Sequence, residues 1–386
     1  MRRLTFFLVP FIIIQELTAQ NNNVPGVIVN HIPKSTGKYV GSPSICILPN
    51  GDYVASHDEF GPRSSEFYSA RTHILLSSDK GKTWKETVTL DGQFWSNLFL
   101  HENELYILGT NKHHGNVVIR KSSDGGKTWT IPYNADNGLL FEGEYHTAPM
   151  PMIIHNGKIW RGIEYATGKT SNWGKRYSAM MVSVPINANL LDARNWKKTN
   201  YLPFDSAYLN GMFEAWLEGN AVVTREDKIV NILRVHAPHI ADEYYAKVSL
   251  DEKKGKINFK ETDFFKMPGA SKKFTIRYDK QSNLYWSIVN NVPEQYNGKA
   301  SNDRIRNSLV LISSSDLITW NISEELLFHP DHQNHGFQYI DWTFDGSDII
   351  FVSRTAFDDE EGAAHSAHDA NYLTFHRLEG FRNYIR

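Results

Sequence analysis

The chain has 386 residues, a formal net charge of −2 and a single cysteine, Cys46. That balance gives no electrostatic grip on nucleic acid or on an anionic membrane surface, and one thiol excludes an internal disulfide. Aromatic residues make up 13%, which suits both a β core and the stacking of sugar faces and decides neither.

The first element is a targeting segment. Arg2 and Arg3 form a basic stretch, Leu4–Ile14 an apolar one interrupted by Pro10, and Ala19 precedes the polar run Gln20–Asn23. This is the pattern of a cleaved secretion signal, too short to span a membrane. Residues 1–19 are therefore read as a signal peptide and 20–386 as a periplasmic or extracellular protein. No later stretch is long and apolar enough to insert into a bilayer.

One unit then recurs: an apolar strand, a tight polar turn, a second apolar strand. It first appears as Ile45–Leu48, the turn Pro49–Asp52, and Tyr53–Ser56. It returns around His101–Asn103, His155–Gly157, Arg225–Asp227, Lys280–Asn283 and Asp345–Ser347. Asn, Asp and Gly tolerate the positive φ of tight hairpins, and the following strands are β-branched and aromatic, as in Ile349-Ile350-Phe351. Six such hairpins predict an all-β β-propeller of six blades, or seven if one blade is weakly patterned. Only Leu190–Trp196 reads as a short helical turn. The last unit lacks a fourth strand, and Val27–His31 fits as the strand that closes the ring and removes exposed edges. The region 20–386 is thus expected to be one domain.

A second repeat is S-x-D-x-G-x-T-W, at Ser77–Trp84 and again at Ser122–Trp129, with shortened forms at Asp192–Trp196 and Ser314–Trp320. The carboxylate is placed to cap backbone N–H groups, the Gly to take a positive φ, and the Trp to pack between blades. This repeat is a signal of fold and carries no chemistry.

In a propeller, the start of each first strand and the end of each second strand surround one mouth. Those positions are polar here: His57-Asp58-Glu59, Asn111–His114, His146, Glu164, Glu218, Arg234–His236, Lys272-Lys273, Arg277, Asn290, Gln338, Asp341 and Arg354. The last loop adds His365, His368, Asp369 and Tyr372. Buried charge is costly unless paired. Either ion pairs line a water-filled channel, or the mouth is a pocket for a carboxylate-bearing sugar. In the second case Arg234, Arg277 and Arg354 are the anion clamp, because a guanidinium grips a carboxylate through two parallel hydrogen bonds. Lys272, Lys273, Asn290, Gln338, Asp341, His365 and His368 complete the expected substrate-binding set.

His57, flanked by carboxylates, is a candidate acid/base or a structural histidine. Glu218, in an apolar stretch, is a candidate acid whose pKa burial would raise, or a partner of Arg234. His365-x-x-His368-Asp369 has ligand-type residues, but no third ligand at a fixed spacing, so neither metal nor cofactor is expected. His113-His114 are ligands or exposed loop residues.

The two full motifs resemble the Asp-box of the sialidase-like propellers, which in that family lies on the face away from the usual active site. Gly41–Trp84 is similar to the first blade of an exo-sialidase. The resemblance implies an Arg-Ile-Pro motif there, whose Arg joins a three-Arg clamp, and a general-acid Asp before the first Asp-box. This chain has Val40-Gly41-Ser42-Pro43 and Arg71-Thr72-His73 instead. Glu218 followed by Arg234 does match the nucleophile-supporting Glu and second Arg that the family implies.

His146–Glu164, Trp216–Arg234, Gly269–Trp286 and His335–His376 resemble a Bacteroidetes-type group similar to the propeller α-L-rhamnosidases, which remove rhamnose from glucuronate. More distantly they resemble propeller lyases of rhamnose–uronate polysaccharides. The rhamnosidase resemblance implies one essential His and a site on the face opposite the usual mouth. His57 is the candidate, and His101 and His155, in turns of the opposite face, are rivals. The expected activity is exo-glycosidic release of rhamnose from a uronate-containing polysaccharide. The alternatives are a lyase with a His or Tyr, such as Tyr372, as base and Arg354 neutralising the carboxylate, an exo-sialidase, and a non-catalytic glycan binder. The expected partner is an acidic polysaccharide or oligosaccharide, with no protein partner.

Overall fold

The structure, a computed structural model, describes residues 24–385. The expected signal peptide lies outside the described residues. Within them there is no α-helix, only strands joined by turns and short 3-10 segments, and no helix long and apolar enough to cross a membrane. The helical turn expected at Leu190–Trp196 is a 3-10 turn, Ala193–Asn195, capped by the Asp192 carboxylate.

Hydrogen bonding divides the strands into five sheets rather than six separate blades. Four sheets have four or five strands, the size of a blade, and the fifth has eight. The fusion comes from the strand Leu139–His146. It pairs with Gly115–Ser122 on one side and, at Tyr145–Tyr165 and His146–Glu164, with Lys158–Ala166 on the other. The hairpin pattern marks each turn but does not reveal that one strand serves two neighbours. Val27–His31 pairs antiparallel with Tyr372–Leu378 and so joins the first described strand to the last.

The two S-x-D-x-G-x-T-W turns are built alike. Asp79 accepts the Thr83 N–H at 2.9 Å and the Thr83 hydroxyl at 2.6 Å, and the Ser77 hydroxyl oxygen accepts the Gly81 N–H at 2.8 Å. Asp124 and Ser122 repeat this with Thr128 and Gly126. Gly81 has φ +86°, and a Cβ there would stand 2.2 Å from the Phe375 ring. Trp84 packs on Phe375 of the final sheet, with ring centroids 5.5 Å apart. Trp129 packs into an apolar cluster with Val54, Ile74 and Leu98. Each indole therefore fills the seam between neighbouring sheets.

The inner strands carry the feature that shapes the mouth. Phe94–His101, Ala215–Val223 and Gly336–Asp345 each contain one extra residue relative to the partner strand, between Phe94 and Asn97, Leu217 and Asn220, and Gln338 and Asp341. At each bulge a non-glycine residue has left-handed backbone: Trp95 (φ +47°), Glu218 (φ +52°) and Tyr339 (φ +54°). Such conformations cost on the order of 1–3 kcal/mol and persist only where surrounding bonds enforce them.

Those bonds come from neighbouring sheets. Asp341 accepts the Ser44 hydroxyl at 2.7 Å and the Ile45 N–H at 3.0 Å. Asn220 accepts the Ile276 N–H at 3.0 Å and donates to the Phe274 carbonyl at 3.3 Å. Ser44 accepts the Leu98 N–H at 3.0 Å, and Asp58 accepts the Trp95 N–H at 2.9 Å. Asp341, expected among the substrate-binding residues, is thus occupied as a clasp between sheets.

Asp341→Ala leaves the Ile45 N–H and Ser44 hydroxyl without their charged acceptor. Hydrogen bonds to charged groups contribute about 1.5–3 kcal/mol each, so denaturant unfolding should show a loss of roughly 3 kcal/mol or more. A midpoint indistinguishable from wild type would remove the clasp from this account. Asp58 gives a pH test. Burial pushes its carboxyl up to about 7, against hydrogen bonds from Thr72, Trp95 and Ser42. A raised carboxyl binds its proton more tightly in the folded than in the unfolded chain, so its contribution to stability falls as pH rises from about 4 to about 7. The stability difference between wild type and Asp58→Asn should therefore shift against wild type over that window. A pH-independent difference would contradict this.

Candidate functional site

The bulges and the loops beside them converge on one cavity with two arms. The wide arm, about 640 Å³, is lined by Arg234, Arg306, Asp303, Lys299 and Arg304 among others. The narrow arm, about 200 Å³, is lined by Phe60, Glu66, Trp95, His113, His146 and Arg354. Trp173, Tyr339 and His368 line both arms, so Tyr339, set by its bulge, stands where the arms meet.

Three buried arginines face this junction. Arg234, at the end of the strand Ile229–His236, bonds Glu218 at 3.0 Å and the Ser271 carbonyl at 2.8 Å. Burial acts against its charge, but Glu218 outweighs burial and raises its pKa. Arg306 donates to Gln338 at 2.5 Å, and burial lowers its pKa to about 10. Arg354 lies between two rings, 4.3 Å from the Phe60 centroid and 5.0 Å from that of Tyr339. It donates to the His368 carbonyl, its Nε has no hydrogen-bond partner among the described residues, and burial lowers its pKa. Among the described residues, neither Arg306 nor Arg354 has a carboxylate within salt-bridge distance, whereas Arg234 has Glu218.

Apart from Arg354 at the junction, the narrow arm is largely aromatic. The Trp95 ring stands 4.6 Å from His113 and 4.5 Å from His146. Burial and the neighbouring His114 lower His113 to about 3, so it is uncharged at neutral pH. Burial, then Arg354, lowers His368 to about 3 as well. Glu66 belongs to the loop between Phe60 and Arg71, and its backbone carbonyl accepts the His113 N–H at 2.7 Å. Burial pushes its carboxyl up to about 7. His146 and Glu164 sit opposite each other in the ladder, Nδ1 to Oε2 at 2.9 Å, with side chains 3% and 0% exposed.

Of the residues expected at the mouth, His113, His146, Arg234, His236, Arg354, His368 and Asp369 line the cavity. Gln338 lies just behind it, accepting from Arg306 and donating to the carbonyls of Ala367 and His368. Glu218 also lies behind, against Arg234. Burial alone would raise its carboxyl, but the charges around it, Arg234 first among them, hold it below the ordinary range, the reverse of the sequence-based expectation for a general acid.

The others are elsewhere. Arg277 is not in the clamp: it lines a separate cavity of about 280 Å³ with Cys46, Asn97 and Asp341, and donates to the Trp342 carbonyl at 2.6 Å. His57 is fully buried between Asn30 and the Asp58 carbonyl, stacked on His73, and lowered to about 3 by burial and His73. It lines neither arm. Tyr372 is buried and stacked on His31 at 4.3 Å, also away from both arms. Lys272 bonds Glu243 and the Asn302 carbonyl, and Lys273 bonds Thr275 and the Ile340 carbonyl. Asn290 braces three backbone carbonyls, those of Arg306, Ser308 and Phe337. His365 is exposed and paired with Asp369. In the hairpin turns, His101 lies near Glu102, and His155 is held between Asp227 and Glu252. Among the described residues, no three His, Cys, Asp or Glu side chains are grouped to hold a metal ion.

Sequence reasoning missed Arg306, Tyr339 and Glu66. Arg306 and Glu66 lie in irregular segments with no strand pattern to place them. Tyr339 had a usable signal. Trp95-Ser96-Asn97, Glu218-Gly219-Asn220 and Tyr339-Ile340-Asp341 repeat a large or charged residue two positions before Asn or Asp, and each marks a bulge.

No family model and no curated protein matches the sequence. Solved structures match over nearly the whole chain at low identity. The alpha-L-arabinanase of Penicillium chrysogenum, solved with arabinobiose, is 14% identical over 92% of this chain and 97% of its own, with a TM-score of 0.56. A Dyadobacter fermentans protein of unknown function is 12% identical over 92% and 98%, with a TM-score of 0.59. The Trypanosoma rangeli sialidase, solved with sialic acid, is 13% identical over 88% of this chain and 54% of its own, with a TM-score of 0.53. At these identities the likeness is one of fold, and the fold is an all-β propeller of the sialidase-like type.

Proposed function

We propose that this protein is a glycan-active hydrolase, acting outside the cytoplasm, that cleaves a terminal sugar at its bond to an acidic one. The observation that carries the reading is buried positive charge with no carboxylate at salt-bridge distance. Arg306 and Arg354 are withdrawn from water without a carboxylate partner among the described residues, and both face the junction at Tyr339. Burying an ion costs several kcal/mol unless a counter-charge or good hydrogen bonds offset it. A substrate carboxylate, gripped by planar guanidinium forks, supplies that counter-charge.

Glu66 supplies the acid. A carboxyl pushed up to about 7 keeps much of its proton at neutral pH and can protonate the bridging oxygen as the bond breaks. The rings of Phe60 and Trp95 and the uncharged His113 offer a surface for the apolar face of a neutral sugar. A neutral sugar joined to a carboxylate-bearing one is what rhamnose on a uronate presents. That finer reading also draws on the resemblance of His335–His376 to the rhamnose–glucuronate group. Structural neighbours solved with arabinobiose and with sialic acid support a sugar ligand. Tyr372, the base named for the lyase alternative, lies against His31 outside both arms; a His of the narrow arm is the base that alternative would need, and the structural neighbours, an arabinanase and a sialidase, favour hydrolysis. Sialic acid also carries a carboxylate, and sialylated oligosaccharides belong in the same screen.

The test pairs binding with turnover. In calorimetry with a rhamnose–glucuronate disaccharide, Arg354→Ala or Arg306→Ala should cost about 2–5 kcal/mol of affinity and far less with a neutral analogue. Arg354→Lys keeps the charge and loses the fork, so it should fall between. Equal losses on both sugars would reduce the arginines to structural props. With the wild type, free rhamnose should appear without a product absorbing in the near ultraviolet. Glu66→Gln should bind normally but turn over about 10²–10⁴-fold more slowly; full activity in that variant would move the acid elsewhere.

A further inference from the structure

The cavity holds a second ionisable group that the scheme above does not use. His146 ends the inner strand Leu139–His146, and Glu164 lies directly across from it on Lys158–Ala166. The Glu164 carboxylate meets Nδ1 at 2.9 Å, and its other oxygen accepts the Gly219 N–H at 3.3 Å. Within the described residues, Nε2 of His146 makes no hydrogen bond, while the ring lines the narrow arm beside Trp95 and Trp173. A carboxylate accepts from Nδ1–H, and in the neutral imidazole that tautomer turns the Nε2 lone pair to the cavity. A carboxylate that fixes the tautomer and orientation of an imidazole is the arrangement of a general base. Glu66 reaches the same arm from the loop of another sheet.

Resting on the proposed hydrolase reading, we infer that His146, oriented by Glu164, is the base that activates the attacking water, so that hydrolysis is a single displacement with inversion at the anomeric carbon. As the water oxygen bonds to that carbon, its proton passes to His146 Nε2. The bond from the carbon to the bridging oxygen breaks, and the Glu66 proton passes to the leaving oxygen. One water is consumed, Glu66 is left as carboxylate and His146 as imidazolium, and exchange with solvent restores both. His146 is the catalytic residue and Glu164 a positioning residue. Tyr339, between the guanidinium groups, orients the acidic sugar and forms no covalent bond to substrate.

The first measurement needs no variant. Wild-type full-length protein is mixed with a rhamnose–glucuronate disaccharide, or a sialylated trisaccharide if that is the one cleaved, and the first-formed anomer is read by NMR before mutarotation. Inversion is expected. Retention would overturn the inference in favour of a covalent intermediate, most simply on Tyr339, and would leave the hydrolase reading standing. Binding without any cleavage would overturn both. His146→Ala should lose about 10²–10⁴-fold in kcat with KM little changed, and azide should restore turnover by forming a glycosyl azide of inverted configuration. Loss of KM with kcat intact would make His146 a binding residue and sink the inference. Glu164→Leu should lower kcat alone, and Glu164→Gln, which keeps an acceptor for Nδ1, should recover part of it. Equal defects in the two Glu164 variants would mean that Glu164 supports only the fold.

Discussion

The mouth depends on hydrogen bonds that pass between sheets rather than along them. Asp341 receiving Ser44 and Ile45, Asn220 receiving Ile276, and Asp58 receiving Trp95 fix where the inner strands bulge. A bulge turns the strand, so a side chain that the pleat would direct along the sheet is aimed at the axis instead. The polar residues of the inner strands thus divide into two groups. Asp341, Asn220 and Asp58 at the clasps hold the geometry, and Tyr339, Glu218 and Trp95 are placed by it. The strain of a left-handed backbone at those positions is tolerated because the sheets on either side hold it in place.

Once placed, the groups set one another's charge. Glu218 stays ionised despite its burial because Arg234 lies against it. His113 and His368 are held neutral by burial and by nearby positive charge. Glu66 is pushed the other way, toward its protonated form, by burial. The narrow arm therefore offers rings and a proton, with Arg354 at its junction end, while the wide arm sets Arg234, Arg306 and Lys299 beside Asp303 and Asp369. On the proposed reading, an anionic group meets the guanidinium groups and an apolar sugar face meets the rings.

Much of the fold was legible because it is repetitive. Each hairpin turn carries its own Asn, Asp or Gly, and the S-x-D-x-G-x-T-W turns fold as their residues dictate, from Asp79 capping Thr83 to Trp84 reaching the next sheet. What was not legible depends on partners distant in sequence. Nothing near Arg277 says that it donates to Trp342 and faces another cavity. Nothing near His57 says that Asn30, 27 residues away, will bury it. Arg306 and Glu66 were invisible for a related reason: both lie in irregular loops, where periodicity gives no direction to a side chain. Strand patterns locate the ring, while the chemistry of the mouth is decided by bulges and loops that the patterns pass over.

The pairing of Val27–His31 with Tyr372–Leu378 bears on how the molecule assembles. The strand carrying Arg354 lies next to Tyr372–Leu378, so the sheet that presents this guanidinium is complete only when the two ends of the described chain have met. Contacts of such long sequence separation form late, because loop closure must be achieved before they give any return. Earlier intermediates can hold their local hairpins and S-x-D turns while the ring is still open. In such an open ring the arginines would remain hydrated and apart, and the strong cationic field of the mouth would arise only at the final closure.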